Sequence, residues 1–564
     1  MGADIAEDLK RRVNKSKNKN KSKGKSKSKN KSKGKSKLPI TFEQWQTKLL
    51  EKYNKLYDRV QQNMPHLWAS LEFDLSIKNI LYIKDVGQPF AGIVLGKPSS
   101  LKTVGLEMFR KSKDTHYTDN FTARSFVSHN SGLSEERLQQ IDLLPKIKNK
   151  CFLTPELAPI FAAKDEDLLS LLGIMTRVLD GYGYENDSGA QGHRGYNERM
   201  MFTWIGAAVD IPFKVHKLMT TLGPRLYFLR IPGIQNKTDE DYLSQLEHSD
   251  FDDKRDRIQV ALMDYLNWLE SACPMMEHDE KFNSELKKMP WLNGQATADE
   301  YNKIQAQRKA FGQIIKLAKL LAPLRGVVPT WHTHDTQGND YGYTLPTIEE
   351  PDRAMQQLAN LARGHALSQG RNYITSEEDV PMIVKVVLST APIERVTIFD
   401  VLLANHGVLN VNQITQSLSI SEPTARKTML EFTILGLVDK RDDIPMVGSD
   451  EIIRMGSEIR LKKDFTWFLS DEFTSLRQGF KPPKPAEDEE EVEATKEKSP
   501  PHTDPGSTST TQRENDPQRG GEISFTAIGY HDAHFSLGKW HCNNCKASGD
   551  KFYMENTGCK GSKK

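Results

Sequence analysis

Cysteine is scarce: five residues in 564 are too few to staple a chain of this length, which excludes a disulfide framework. Long apolar runs are missing too. No window offers the roughly 18 uncharged apolar residues of a membrane span, and the first residues lack the apolar stretch of a signal peptide. The chain is therefore expected in the cytoplasm and off the membrane. Ala6 stands where a myristoylation signal wants Ser or Thr. An excess of one charge is also absent, since 78 Lys and Arg against 75 Asp and Glu leave +3. That balance sums a basic start and a later acidic run, so position carries more than the total.

What is present is length. At the usual domain size, 564 residues make roughly three or four units with linkers. Residues 10–38 are a Lys/Ser/Asn/Gly tract with almost nothing apolar to offset the entropy of ordering. Residues 1–39 are read as a disordered basic tail, either a salt-sensitive contact to DNA phosphates or a solubilising segment. From Phe42 to Met64, Trp45, Leu49, Leu50, Tyr53, Leu56 and Val60 recur at helical spacing. A second polar tract, roughly 481–521, holds Pro482-Pro483, the acidic run 487–491 and a Ser/Thr/Pro/Gly stretch, and reads as a linker. Chemistry is expected between residues 40 and 475.

Residues Phe90 to Leu95 (FAGIVL) suit a buried strand, and Gly96-Lys97-Pro98-Ser99-Ser100-Leu101-Lys102-Thr103 follows at once. Measured against G-x-x-x-x-G-K-[ST], only the second Gly departs, as Leu101. In such a loop backbone N–H groups wrap the phosphates of ATP, Lys102 meets the β- and γ-phosphates, and the Thr103 hydroxyl ligates Mg²⁺. The plain alternative is an ordinary strand-to-helix turn. Downstream, Cys151-Phe152-Leu153 ends in Thr154-Pro155-Glu156, which puts a carboxylate at a strand end, where Glu156 can polarise a water. An Asp partner is missing there; Asp142 is a substitute, or simply a solvated loop carboxylate. A helical stretch, Asp167 to Leu179, precedes a Gly-rich segment, Asp180 to Tyr196, read as a hairpin with His193 and Arg194 near its tip. It faces DNA, or is only a surface loop. Met201 to Val209 is a third strand, and Arg225 just before Leu226-Tyr227-Phe228 suits an arginine finger serving a neighbour's γ-phosphate, or a surface salt bridge.

This order of parts resembles the AAA+ ATPases and, within them, the minichromosome maintenance helicases, whose phosphate loop also lacks the second Gly, as in GKPSSLKT. The resemblance implies a hairpin insertion at Asp180 to Tyr196, a sensor strand at Met201 to Val209 and a finger motif at Arg225-Leu226. It extends to a lid, where Asp352-Arg353-Ala354-Met355 through Ala366 is similar to the family's sensor helix and Arg353 takes the sensor role. Thr375 or Ser376 with Glu378 or Asp379 reads independently as a helix start. Residues 235–345 match nothing in the family. They read as an insertion with amphipathic helices at 253–272 and 300–321 and a hairpin through 337–342. His332, His334 and Asp335 are weighed as metal ligands, against an ordinary strand-end pair of histidines.

Ile393 to Leu403, Asn410 to Leu418 and Ser421 to Leu435 read as three helices turning into a strand at Gly436. That is a winged helix, whose third helix exposes Thr424, Arg426 and Lys427 to a DNA groove or packs against another domain. In the last residues Cys542-x2-Cys545 with Cys559 supplies three thiolates for Zn²⁺, with His541, His534 or His531 as fourth ligand. Cys151 and Cys273 read as core residues.

The expected fold is α/β. A P-loop AAA+ core (40–235) and lid (346–388) flank the insertion (236–345), followed by a winged helix (389–475), a linker (476–522) and a zinc module (523–564). The expected activity is DNA-dependent ATP hydrolysis by a homo-oligomeric ring, as a helicase or translocase, or an ATP-gated DNA-binding switch that moves no strand.

Overall fold

The computed structural model describes residues 40–479, apart from 129–131, 190–191, 234–237, 241–242, 244–245, 247–249, 281–284, 294–296, 298–299, 333–340 and 448–452, together with 533–536, 539–542 and 548–549. The basic tail, the 481–521 tract, His334, Asp335, His531, Cys545 and Cys559 lie outside those residues. The chain divides into a unit ending at Asp488 and a second from Glu489 onward. Among the described residues no helix is long and apolar enough to cross a membrane.

At the centre of the first unit is a mixed α/β core whose sheet has five parallel strands. They are β1 (Phe90–Leu95), β2 (Thr115–Tyr117), β3 (Cys151–Thr154), β4 (Thr203–Ala208) and β5 (Leu226–Arg230). Their order across the sheet is β2-β3-β4-β1-β5. Every residue of β1 and β4 is buried, which is why FAGIVL and TWIGAA read as continuous apolar runs rather than alternating ones. The two faces still divide by parity. Phe90, Val94, Ile205, Tyr227 and Leu229 join one core, and Ala91, Ile93, Leu95, Trp204 and Phe228 the other. The chain leaves β1 for the outer edge, returns through β3 and β4, and crosses β1 to lay down β5. The direction of winding therefore reverses beside β1, the place where sheets of this kind bind ligands at the carboxyl ends of their strands.

Helices Asp165–Leu179 and Phe213–Leu222 cover one face. The other is covered by Trp68–Asn79, Asp352–Ser368 and Ser376–Thr390. Gly364 lies where two of these cross, since a Cβ there would stand 2.0 Å from the Ser76 carbonyl oxygen. Thr375 caps its helix differently from a hydroxyl cap: its N–H donates to Asp379 Oδ2 at 2.7 Å.

The segment read as an insertion belongs to this core. Helices Phe251–Ala272 and Tyr301–Leu324 place Ile258, Leu262, Tyr265, Ile314 and Leu317 in the same cluster as the Phe42–Asn63 helix and the lid. Apolar faces of that length bury against the nearest complementary surface, so the segment is continuous with its flanks. Strands Thr330–His332 and Tyr341–Tyr343 form the expected hairpin.

Further on, helices Ile393–Ala404, Val411–Leu418 and Glu422–Ile434 precede strands Val438–Val447 and Ile453–Leu461, which pair antiparallel. The short Val408–Asn410 strand completes that sheet. Asn410 and Gln413 exchange hydrogen bonds at the second helix start, and Ser421 Oγ accepts from the Thr424 N–H at the third. In the second unit Ala533–Ser536 pairs with Lys539–Cys542, which pairs with Ser548–Gly549.

Candidate functional site

The 96–103 loop follows β1 at the carboxyl end of the sheet. Sheet pairing holds its root, with Gly96 N–H donating to the Ala208 carbonyl at 3.2 Å and Ile231 N–H to the Leu95 carbonyl at 2.9 Å. A Cβ on Gly96 would stand 2.6 Å from Ser100 Oγ and 2.8 Å from Ile231 Cγ1, so any larger residue would force one of these side chains to move. The loop then turns through left-handed backbone at Ser99 (φ 64) and Leu101 (φ 65). Left-handed residues set among right-handed ones turn successive N–H groups inward as an anion-binding concavity. Leu101 occupies the place where the common pattern has glycine. The reason for that glycine is visible here, because the residue before Lys102 takes a positive φ that L side chains adopt at a cost of about 1–2 kcal/mol.

Lys102 is nearly buried, and its Nζ folds back over the loop to donate to the Lys97 carbonyl at 3.4 Å. Beside it Ser100 Oγ is buried with no hydrogen-bond partner among the described residues. A buried hydroxyl without a partner is costly unless something fills its place, and a phosphate oxygen would do so. The Thr103 hydroxyl reaches the Pro155 carbonyl at 3.4 Å, which brings the loop against the end of β3 and beside Glu156. Glu156 Oε1 accepts the Ala158 N–H at 3.0 Å, leaving the carboxylate half exposed. The loop, the cation, the hydroxyl and a carboxylate therefore meet at one end of the sheet.

Arg225 and Arg353 lie elsewhere. Leu226 is in register with Ala91, so Arg225 stands level with the start of β1, about 17 Å along the sheet from the loop. Its guanidinium grips Asp180 with Nε and Nη2 at 3.0 and 2.8 Å and caps the Leu222 carbonyl at 2.9 Å. Arg353 Nε lies 3.7 Å from the same carboxylate. Both arginines thus face away from their own chain's loop.

Two expectations meet a different geometry. Asp142 is fully buried rather than solvated, accepting from the Ser128 N–H, Arg194 Nη2 and Tyr196 Oη at 2.8, 2.7 and 2.7 Å. Burial pushes the Tyr196 hydroxyl well above its ordinary value, reinforced by that carboxylate. Arg194 is correspondingly tied inward, on the second strand of the Glu185–Ser188/Gly192–Gly195 hairpin, and does not project from its tip. His193 stays exposed, and hydrogen bonding to Asp187, with a lesser contribution from Glu185, raises its imidazole.

The sequence reading missed Asp210 and Arg230. They follow β4 and end β5, the strands on either side of β1, and join at 3.0 Å across its carboxyl end. The signal was a charge pair at the two strand ends, unreadable before the strand order was known. On the Glu422–Ile434 helix, Thr424 Oγ1 lies 2.9 Å from Ser421 Oγ. Arg426 pairs with Glu422 at 2.7 Å and Lys427 with Glu431 at 3.8 Å, so both cations are exposed but partnered. His541 and Cys542 end a strand in which His541 pairs with His534. Among the described residues no group of three or more His, Cys, Asp or Glu gathers as a metal site.

No family model matches the chain, and no curated protein does. Among solved structures it is similar to the apo A form of the NrS-1 C-terminal region, with a TM-score of 0.20 and 10% identity, covering 75% of this chain and 77% of that one. A likeness of that size carries no argument about either molecule.

Proposed function

We propose that the chain is a P-loop ATPase of the AAA+ type that works on DNA as a homo-oligomer, in the manner of a helicase or translocase. The observation that carries the reading is the 96–103 loop at the switch point of a parallel sheet, with left-handed Ser99 and Leu101, a Ser100 hydroxyl without a partner among the described residues and a folded-back Lys102. Gly96 through Thr103 would hold the triphosphate, Thr103 the Mg²⁺, and Glu156 a water. Bound Mg-ATP would supply the phosphoanhydride whose cleavage drives work.

The orientation of Arg225 and Arg353 fits a role on a neighbouring subunit, because neither reaches its own loop. The 393–461 helices and strands suit a winged helix, with Thr424, Arg426 and Lys427 toward DNA. The cysteines after residue 541 suit a zinc module. A second reading, an ATP-gated switch without translocation, is favoured by one contact, the engagement of Glu156 with the Ala158 amide.

ATP hydrolysis measured with no DNA, single strands and duplex separates these readings. DNA stimulation is the motor's outcome, and tight binding with negligible turnover is the switch's. Glu156→Gln should lower turnover by roughly 100-fold or more while keeping nucleotide, and Lys102→Ala should lose nucleotide. Leu101→Val, which puts a β-branched side chain at positive φ, should weaken nucleotide binding about tenfold or more. Failure of the wild-type chain to retain any Mg-nucleotide removes both readings. Arg225→Ala subunits mixed with wild type should depress activity beyond dilution; a proportional loss removes the trans role.

A further inference from the structure

The outer edge of the sheet carries a recess that is separate from the 96–103 loop and independent of its reading. It lies between β2, the residues that follow it and the short Leu143–Ile147 helix, with a volume of about 380 Å³. Its wall brings two cationic side chains and an imidazole together from three elements: Arg124 on the Ala123–Phe126 turn of helix, Lys146, and His116 on β2. No carboxylate lines it among the described residues. Asp142, beside the lining residues Ile141 and Leu143, is consumed by Arg194, Tyr196 and the Ser128 amide. Asp119 accepts from Tyr117 Oη at 2.8 Å.

Each cation is left in want of a counter-charge. Arg124 makes no ion pair or hydrogen bond among the described residues, and Lys146 donates to the Ile141 carbonyl at 2.9 Å. The His116 ring is half buried and stacked 6.1 Å from Phe152, which fixes its place. Burial chiefly, then Lys146 and Lys150, hold its imidazole below the ordinary value, so it faces the recess as a neutral ring with one N–H to give. Hydroxyl donors stand among the cations. Ser125 Oγ accepts the Thr122 N–H at 3.1 Å and lies 3.4 Å from Thr122 Oγ1, so one proton of this hydroxyl pair serves the other and one is left to give. An ordinary solvated surface scatters its cations or mixes them with carboxylates. Here they converge on a walled space at the small end of ligand-pocket volumes.

We infer that this recess binds a phosphoryl group, with Arg124 and Lys146 neutralising it and Ser125 and His116 donating to its oxygens. Guanidinium and ammonium are the two side chains suited to that charge, the first through paired N–H donors. The phosphoryl group belongs either to a small free anion or to the backbone of a nucleic-acid strand, and the space admits one group with its attached sugar.

The test uses the full chain carrying Lys102→Ala, so that the β1 loop contributes nothing and the failure of one site cannot pass for failure of the other. Binding of inorganic pyrophosphate is followed by calorimetry and binding of a fluorescein-labelled oligo-dT by anisotropy. The proteins compared are the parent, Arg124→Gln, and Arg124→Gln/Lys146→Gln. At least tenfold weaker binding of one probe in the double variant is the expected result. If the strand is the source, oligo-dT affinity falls and its log–log salt slope flattens by about 1.4, the value for two phosphate contacts on single strands. If a free anion is the source, pyrophosphate affinity falls and oligo-dT is unaffected. Exposed Lys55 and Lys303, converted together to Gln, control for net charge, and an equal loss in that protein overturns the inference. So does unchanged affinity for both probes. Arg124→Gln alone removes an exposed side chain that has no partner among the described residues. It should keep the parent's melting temperature, so its smaller loss of the same probe decides the question should the double variant fold poorly.

Discussion

His365 should make the protein lose stability as the solution turns alkaline. The imidazole is buried on the Asp352–Ser368 helix, with Nδ1 2.7 Å from Asp379 Oδ1 and Nε2 3.4 Å from Glu72 Oε1. Burial opposes its charge, but hydrogen bonds to Asp379 and Glu72 and their charges outweigh it and raise the imidazole from 6.5 to about 9. The same pairing, with Arg371, holds Asp379 down at about 2, so the interaction is counted once. Below pH 6.5 folded and unfolded chains both carry the proton and the native state keeps the whole benefit. Between 6.5 and about 9 only the folded chain holds it. Stability then falls with rising pH by ~1.4 kcal/mol per unit, or about 3 kcal/mol across the window. Urea unfolding followed by tryptophan fluorescence from pH 6 to 9.5 reads this directly, with His365→Gln as reference. The variant should start less stable and lack the slope specific to that window. If wild type and variant share one pH profile, the imidazole is neutral in the fold and the charged bridge between Glu72 and Asp379 does not exist.

Two further outcomes follow from contacts. Gly364→Ala drives a methyl into the Ser76 carbonyl at the crossing of two helices and should lower stability by roughly 1–3 kcal/mol; an unchanged urea midpoint would show that the helices part freely there. Glu422→Gln releases Arg426 from its 2.7 Å partner. If that helix meets DNA, duplex affinity at low salt should rise and the salt slope should steepen by about 0.9. No change in either quantity removes Arg426 from the interface.

Much of the sheet was legible because a strand buried on both faces is apolar nearly throughout, and FAGIVL, CFLT and TWIGAA are, with Thr154 and Thr203 at strand ends the exceptions. The third-helix start was legible from Ser421 and Pro423, whose local chemistry needs no distant partner. What depended on partners far along the chain was not. Asp142 looks like a loop carboxylate until Arg194 and Tyr196 arrive more than fifty residues later. The Arg225–Asp180 grip spans 45 positions. Leu101 looked like a defect in a motif, and the sequence could not say that the backbone keeps the glycine-like turn regardless.

The Phe42–Asn63 helix turns Trp45, Leu49, Tyr53, Leu56 and Val60 inward, and part of what receives them is the Phe251–Ala272 helix, through Tyr265, Trp268 and Asp264. On the ribosome the first of these helices emerges roughly 200 residues before the second, a wait of roughly 10–40 s at ordinary synthesis rates. The earlier helix is thus fully sheathed only after the later one has been made. A nascent-chain chaperone would meet that bare aromatic stripe first, and a shortened version starting at Trp68 would leave the matching groove on the later helix open for good.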